Sequence, residues 1–184
     1  VSHAINYLSG RRNALPVQNL LWQNSFFWDG GVAHIDLISI NPIQNPVEMD
    51  ETLPNVLNKL RLHKEYPLMF ENAFGDTTIN STRFLQAMTQ FMALLVSADS
   101  KYDLAIRGEG PSLSPEEKEG KALFDKHCAS CHSGELFSDF SFRNNGMFPN
   151  QQMDRGRYEI SLLPNDIGKF KVPSLRNIAK TAPY

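Results

Sequence analysis

Cys128-Ala129-Ser130-Cys131-His132 holds the only two cysteines in this chain of 184 residues, with a histidine directly after the second. Cys-x-x-Cys-His is an attachment signature for c-type haem. The spacing sets the two sulfurs about one helical turn apart, so both can reach the vinyl groups along one haem edge. His132 comes next and can present an imidazole nitrogen to the iron. A zinc site would want a second Cys or His pair; none stands out, although His127 is near. A thioredoxin-like redox pair would want a preceding strand in a βαβ pattern, which is not visible here. The adjacent histidine and the lack of a second pair favour haem over both.

The residues leading into the motif read as a helix. Ser114 is an N-cap, Pro115 stands at the first helical position, and Glu117 completes a capping box. Leu123, Phe124 and His127 then form an apolar stripe that ends at Cys128. Gly108-Glu109-Gly110-Pro111 breaks the chain ahead of it, which predicts two domains, 1–108 and 109–184. Before the break, Leu53, Val56, Leu57 and Leu60 recur at helical spacing. Leu68, Phe70, Ala73 and Phe74 continue to Gly75, read as a C-cap. A third helix is expected from about Asn80, with Phe84, Ala87, Met88, Phe91, Leu94 and Leu95 on one apolar face. Phe91 and Met92 could line a cofactor, but core packing is the stronger reading.

After His132 the pattern changes. Ser133 to Tyr158 is rich in Asn, Gly, Ser and Phe with little periodicity, an unusual length of loop for a compact domain. A haem resolves this, because its faces can supply the core that the loop lacks. Lys169 to Asn177 reads as an extended piece, an N-cap at Ser174 and a short helix. The whole is expected to be mainly α and loop-rich, with no strong strand pair.

Two stretches near the start carry chemistry-bearing residues. Phe26-Phe27-Trp28-Asp29-Gly30-Gly31 reads as an aromatic plug closed by a turn, and core packing is the plain account of Trp28. In Asn41-Pro42-Ile43-Gln44-Asn45-Pro46-Val47-Glu48-Met49, two prolines four apart predict an ordered loop rather than a helix. That loop carries an amide, Gln44, and a carboxylate, Glu48, which is either a general acid/base or an ordinary surface Glu.

Composition sets the outer bounds. A net charge of −2 argues against nucleic acid as a partner, and no apolar run approaches the length of a membrane span. The chain opens at Val1-Ser2 with neither Met nor signal peptide, as expected of a mature or trimmed piece. Covalent haem implies export, so the periplasm is the expected compartment.

Taken in order, several of these stretches resemble the bacterial di-haem cytochrome c peroxidases, including the related methylamine-dehydrogenase maturation enzymes. The matching pieces are Arg12-Asn13-Ala14, Phe27 to Gly30, Asn41 to Met49, Cys128 to Ser133, and Val172-Pro173-Ser174-Leu175-Arg176-Asn177 through Thr181-Ala182-Pro183-Tyr184. The resemblance implies cytochrome c-like haem domains. It implies reduction of hydrogen peroxide to water, with electrons from a small donor protein such as a cytochrome c or a cupredoxin. It makes Cys128, Cys131 and His132 the holders of the electron-accepting haem c and matches Trp28 to a tryptophan between two haems. Glu48 matches the acid/base carboxylate of the peroxide site, and Gln44 lies in the same motif. Asn13, with the carbonyls of Thr181 and Pro183, matches a calcium site between the domains. A homodimer is left open.

The same resemblance places a second Cys-x-x-Cys-His before Val1 and a sixth ligand, Met or Tyr, after Tyr184. The chain is thus expected to be an excised middle, with no assurance of turnover by itself. It departs from the family pattern at three points. Ile38 stands where the peroxide site has a glutamine, and Gly31 stands where an Arg follows Trp-Asp-Gly. His3 lies near, but off, the register of the distal histidine. A non-enzymatic electron carrier and an oxidase acting on a partner protein remain as alternatives.

Overall fold

The computed structural model describes residues 5–146 and 154–180. His3, Thr181, Pro183 and Tyr184 lie outside the described residues. The chain divides into two compact units. One comprises Val1–Leu21 and Val32–Leu94, the other Trp22–Gly31 and Leu95–Tyr184. The second unit therefore begins before the Gly108 break, and it takes in residues 22–31 from far upstream in the chain.

In the first unit the helices are α1 (Ile40–Gln44), α2 (Leu53–Leu62), α3 (Tyr66–Phe74) and α4 (Ser81–Leu94). Thr52 caps α2 by accepting the Asn55 N–H, and Pro54 sits in its first turn, where a missing N–H costs nothing. Gly75 ends α3 in the left-handed region at φ 88°, as its position predicts. Leu57, Phe70 and Ile79 form the core, with Leu53, Leu60, Phe74 and Phe84 packed around them. Burying side chains of this size contributes about 1.5–3 kcal/mol each. Arg61 donates from Nε and Nη2 to the Ile79 carbonyl at 2.8 and 2.6 Å, so the one buried residue between α3 and α4 has a satisfied acceptor.

Two expectations need correction in this unit. Pro42 lies inside a helix, the five-residue α1. The turn is short enough that Pro42 falls among its first N–H positions, which have no intrahelical partner to lose. The predicted apolar face of α4 is covered only in part. Met92 is buried, whereas Phe91 is 59% and Leu94 81% exposed. Phe84 packs against the core of this unit, and Ala87, Met88 and Leu95 are half-buried, so only Phe91 and Leu94 of the predicted stripe lie open.

The second unit holds α5 (Lys101–Arg107), α6 (Pro115–His127), α7 (Tyr158–Ser161) and a two-stranded antiparallel sheet. Its strands, β1 (Phe142–Arg143) and β2 (Phe170–Lys171), pair Phe142 with Lys171 and Arg143 with Phe170. β2 falls in the extended piece expected from Lys169, whereas β1 and the pairing were not expected, since two residues are too few to show alternation. Helix α5 went unseen for the same reason of length, although Ser100 and Asp103 form a complete capping box there. The box of α6, Ser114 with Glu117, is as predicted. Ser174 does not start a helix. Its hydroxyl donates to the Leu136 carbonyl at 2.6 Å and accepts the Arg176 N–H, and among the described residues the helical turn that follows is a 3-10 turn at Ile178–Lys180.

Candidate haem centre

Helix α6 delivers the motif. The Cys128 N–H closes the helix on the Phe124 carbonyl at 2.8 Å. The chain then tightens into a hydrogen-bonded turn, with Cys131 N–H and His132 N–H both donating to the Cys128 carbonyl at 3.1 and 2.9 Å. This is the geometry the spacing predicts: two sulfurs on one turn and the imidazole immediately beyond. Both cysteines are free thiols. Among the described residues no group of three or more His, Cys, Asp or Glu side chains could hold a metal ion.

The imidazole is oriented from behind. His132 Nδ1 lies 3.0 Å from the Phe137 carbonyl oxygen. A carbonyl only accepts, so Nδ1 carries the proton and the Nε2 lone pair is left for a metal. Ligating histidines are held by this kind of bond. The donor set, two thiols on one turn and an imidazole with its outer nitrogen fixed, fits a c-type haem.

Phe137 owes its place to a long-range network. Its φ is 51°, a region a bulky side chain adopts only when its surroundings hold it there. The ring meets Tyr102 and Phe124 edge-on at 5.3 and 5.8 Å, and the Arg176 guanidinium lies over it at 5.7 Å. Arg176 also donates to the Glu135 carbonyl at 2.8 Å and grips both oxygens of Asp103, at 2.7 and 2.8 Å. Asp103 is 7% exposed. The Arg176 hydrogen bonds hold its carboxyl well below the usual carboxylate range, against the opposing effect of burial, with Ser100 assisting.

Breaking one side of a buried pair leaves an uncompensated charge, so Asp103→Asn is expected to destabilise the unit by about 3 kcal/mol. The depressed acid constant fixes the pH sense. The unfolded state takes the proton first, so the stabilisation is full above the ordinary aspartate value near pH 4 and falls as pH drops below it. Urea unfolding at pH 7 and at pH 3 measures both effects. Asp103→Asn should narrow the gap between the two pH values, and the double change Asp103→Asn with Arg176→Met should recover part of the loss.

The other predicted residues are placed as follows. Trp28 and Asn13 are among the described residues, Trp28 half-buried in the second unit. Glu48 is half-buried in the first unit, on a stretch held by its own backbone. Glu48 N–H donates to Asn45, Met49 N–H to Pro42 and Glu51 N–H to Ile43, while the Glu48 carbonyl accepts the Ile5 N–H, all within 2.9–3.1 Å. Gln44 lines a cavity of about 570 Å³ together with Val32, Leu37, Ile40, Asn41, Asn45 and Pro46. Glu48 is not among its lining residues. Sequence reading missed Asp103, Arg157, Phe137 and Lys171. Only Asp103 had a local signal, its place in a capping box.

Comparison with known proteins gives a consistent answer. A family profile described as di-haem cytochrome c peroxidase matches residues 1–111. The methylamine utilization protein MauG of Methylophilus methylotrophus is 32% identical over 96% of this chain and 54% of its own length. The cytochrome c551 peroxidase of Pseudomonas aeruginosa is also 32% identical, over 95% of this chain and 53% of its own length. The chain thus spans about half the length of these relatives. Among solved structures, a MauG-like protein associated with microbial copper homeostasis superposes with a TM-score of 0.89 at 27% identity, covering all of this chain and 60% of that one.

Proposed function

Because the chain belongs to the di-haem cytochrome c peroxidase family, we propose that the intact protein reduces hydrogen peroxide to water with electrons from a small donor protein, and that this chain carries the electron-accepting haem site. The observation that carries the reading is the turn Cys128–His132, with two free thiols and an imidazole whose Nδ1 is fixed by Phe137. A haem held there would supply one-electron chemistry, and a second haem in the intact protein would supply the iron at the peroxide site. The residues of this chain then have separate tasks. Cys128 and Cys131 anchor, and His132 ligates through Nε2. Trp28, carried by the same unit, relays electrons toward the peroxide site. In the first unit Glu48 moves a proton from one peroxide oxygen to the other, and Gln44 offers its amide from the wall of the adjoining cavity. Small donors of the cytochrome c or cupredoxin kind fit this scheme, and the periplasm is the compartment where such haem is attached.

The test uses the full-length protein with both haems. A reduced cytochrome c should be oxidised on adding hydrogen peroxide, with two cytochromes consumed per peroxide. Reversible reduction with no response to peroxide would make it an electron carrier instead. Peroxide consumption that needs a partner protein would make it a modifying oxidase, a reading kept because the MauG relative and the peroxidase are equally similar.

Calcium belongs to the same proposal. Asn13 and the carbonyls of Thr181 and Pro183 offer only oxygen, which suits that ion. A ligand that binds the folded state alone raises stability by mass action, so chelation is expected to lower the melting temperature. An unchanged melting curve, with calcium-free protein verified by elemental analysis, would contradict the site.

A further inference from the structure

The geometry points to Lys171 as a positioning residue: we propose that its buried ammonium, seated on the backbone of residues 22–31, fixes Trp28 in the second unit and so sets the rate of electron relay through it. The proposal rests on the reading of Trp28 as the relay. Residues 23–31 contain no helix and no strand beyond a single β-bridge at Phe26, yet they are built into the second unit. One lysine and one arginine reach their backbone. Lys171 Nζ donates to the Ser25 carbonyl at 2.6 Å and to Gln23 Oε1 at 2.8 Å, and the Lys171 backbone N–H donates to the Trp28 carbonyl at 2.7 Å. Arg157 Nη1 donates to the carbonyls of Asp29 and Gly30 at 2.8 and 3.1 Å. The Arg157 guanidinium lies 4.5 Å above the Phe142 ring, which presses on Gly30 so closely that a Cβ there would sit 2.4 Å from Phe142 Cζ. The two cations thus hold the segment on both sides of Trp28.

The backbone on both sides of Trp28 requires such support. Phe27 has φ 66° and Gly30 φ 69°. For Phe27 this region costs on the order of 1 kcal/mol or more, and it persists only where neighbouring contacts over-determine it. Lys171 is an odd choice for stability alone. It is 3% exposed, lies 5.9 Å from the ring centres of Phe26 and Phe140, and is brought down to about 8 by burial, with only the Asp29 charge opposing. Well-packed apolar groups usually serve stability at least as well as a buried charge. An ammonium with directed donors instead defines where the carbonyls of a loop must lie.

The test compares Lys171→Met with the unaltered full-length protein holding both haems. Lys171→Met keeps the length of the side chain and removes every Nζ donor. Hydrogen exchange, read by mass on peptides covering residues 22–31, should speed up at least about tenfold, as expected for the loss of hydrogen bonds to a charged group, with little change in α6. Electron transfer between the haems should slow by about tenfold or more, because a relay ring out of place loses its geometry to the groups on either side. Lys171→Gln keeps a shorter donor, so it should show the same changes in smaller measure, and it serves if the Met variant does not fold. Trp28→Phe is the control that separates the two ideas. It should slow electron transfer without raising exchange. Unchanged transfer in Trp28→Phe would defeat the relay reading alone, since the exchange result does not depend on it. Unchanged exchange at 22–31 in both Lys171 variants would overturn the proposal. So would faster exchange with unaltered transfer in a protein where Trp28→Phe is slow.

Discussion

Changing Cys128 and Cys131 together to Ala in exported protein is expected to remove the covalent haem of this chain entirely. Each thiol can form one thioether, so a single change leaves one bond and the double change leaves none. The effect should be specific to attachment. The turn that presents the sulfurs is closed by backbone bonds, from the N–H groups of Cys131 and His132 to the Cys128 carbonyl, and Ala can form all of them. The His132 imidazole keeps its bond to Phe137 as well. A haem ligated by His132 alone would wash out under acid denaturation, whereas a thioether-linked one would not. In the full-length protein the pyridine haemochrome count should fall by one per chain. Covalent haem retained at this site in the double variant would contradict the assignment.

Glu48→Gln in the full-length enzyme is expected to slow peroxide turnover by about a hundred- to ten-thousandfold, the usual contribution of a positioned acid/base. Splitting peroxide heterolytically requires a proton taken from one oxygen and given to the other. Gln keeps the size of Glu and a hydrogen-bonding group but cannot shuttle a proton. The backbone bonds of this stretch, from Asn45 through Glu51, do not involve the Glu48 carboxylate, so the loop should persist in the variant. Haem spectra and donor affinity should therefore stay close to those of the unaltered protein. Stopped-flow mixing of half-reduced protein with peroxide reads the change. An unaltered rate would make Glu48 a half-buried carboxylate with no part in the chemistry, and Ile38 would then mark a peroxide site of different construction.

What could be read from the sequence was local. The haem turn was legible because its chemistry demands adjacent residues, and α6 because Ser114, Pro115 and Glu117 announce it within four positions. Helices α2 and α3 were legible through apolar recurrence and Gly75. The support around the site was not, because it is non-local. Arg176 meets Asp103 across 73 positions, and Lys171 meets Ser25 across 146. A lysine or arginine in a sequence reads as surface, since both are seldom fully buried. Only the fold shows Lys171 closed over by Phe26 and Phe140. Phe137 gave no signal either, because positive φ is ordinarily announced by Gly or Asn. The apolar stripe read along α6 does not make a buried face. Leu123 forms part of the expected stripe yet is 55% exposed in the protein chain alone.

The central claim is that residues 128–132 carry haem c, and the mass of one peptide tests it most directly. Trypsin should release residues 127–143, bounded by Lys126 and Arg143 and holding both cysteines and His132. From protein exported with haem-attachment machinery, that peptide is predicted to carry the mass of one haem and to absorb as a haemochrome in alkaline pyridine. The bare peptide mass, with free thiols or a Cys128–Cys131 disulfide and no haem absorbance, would contradict it.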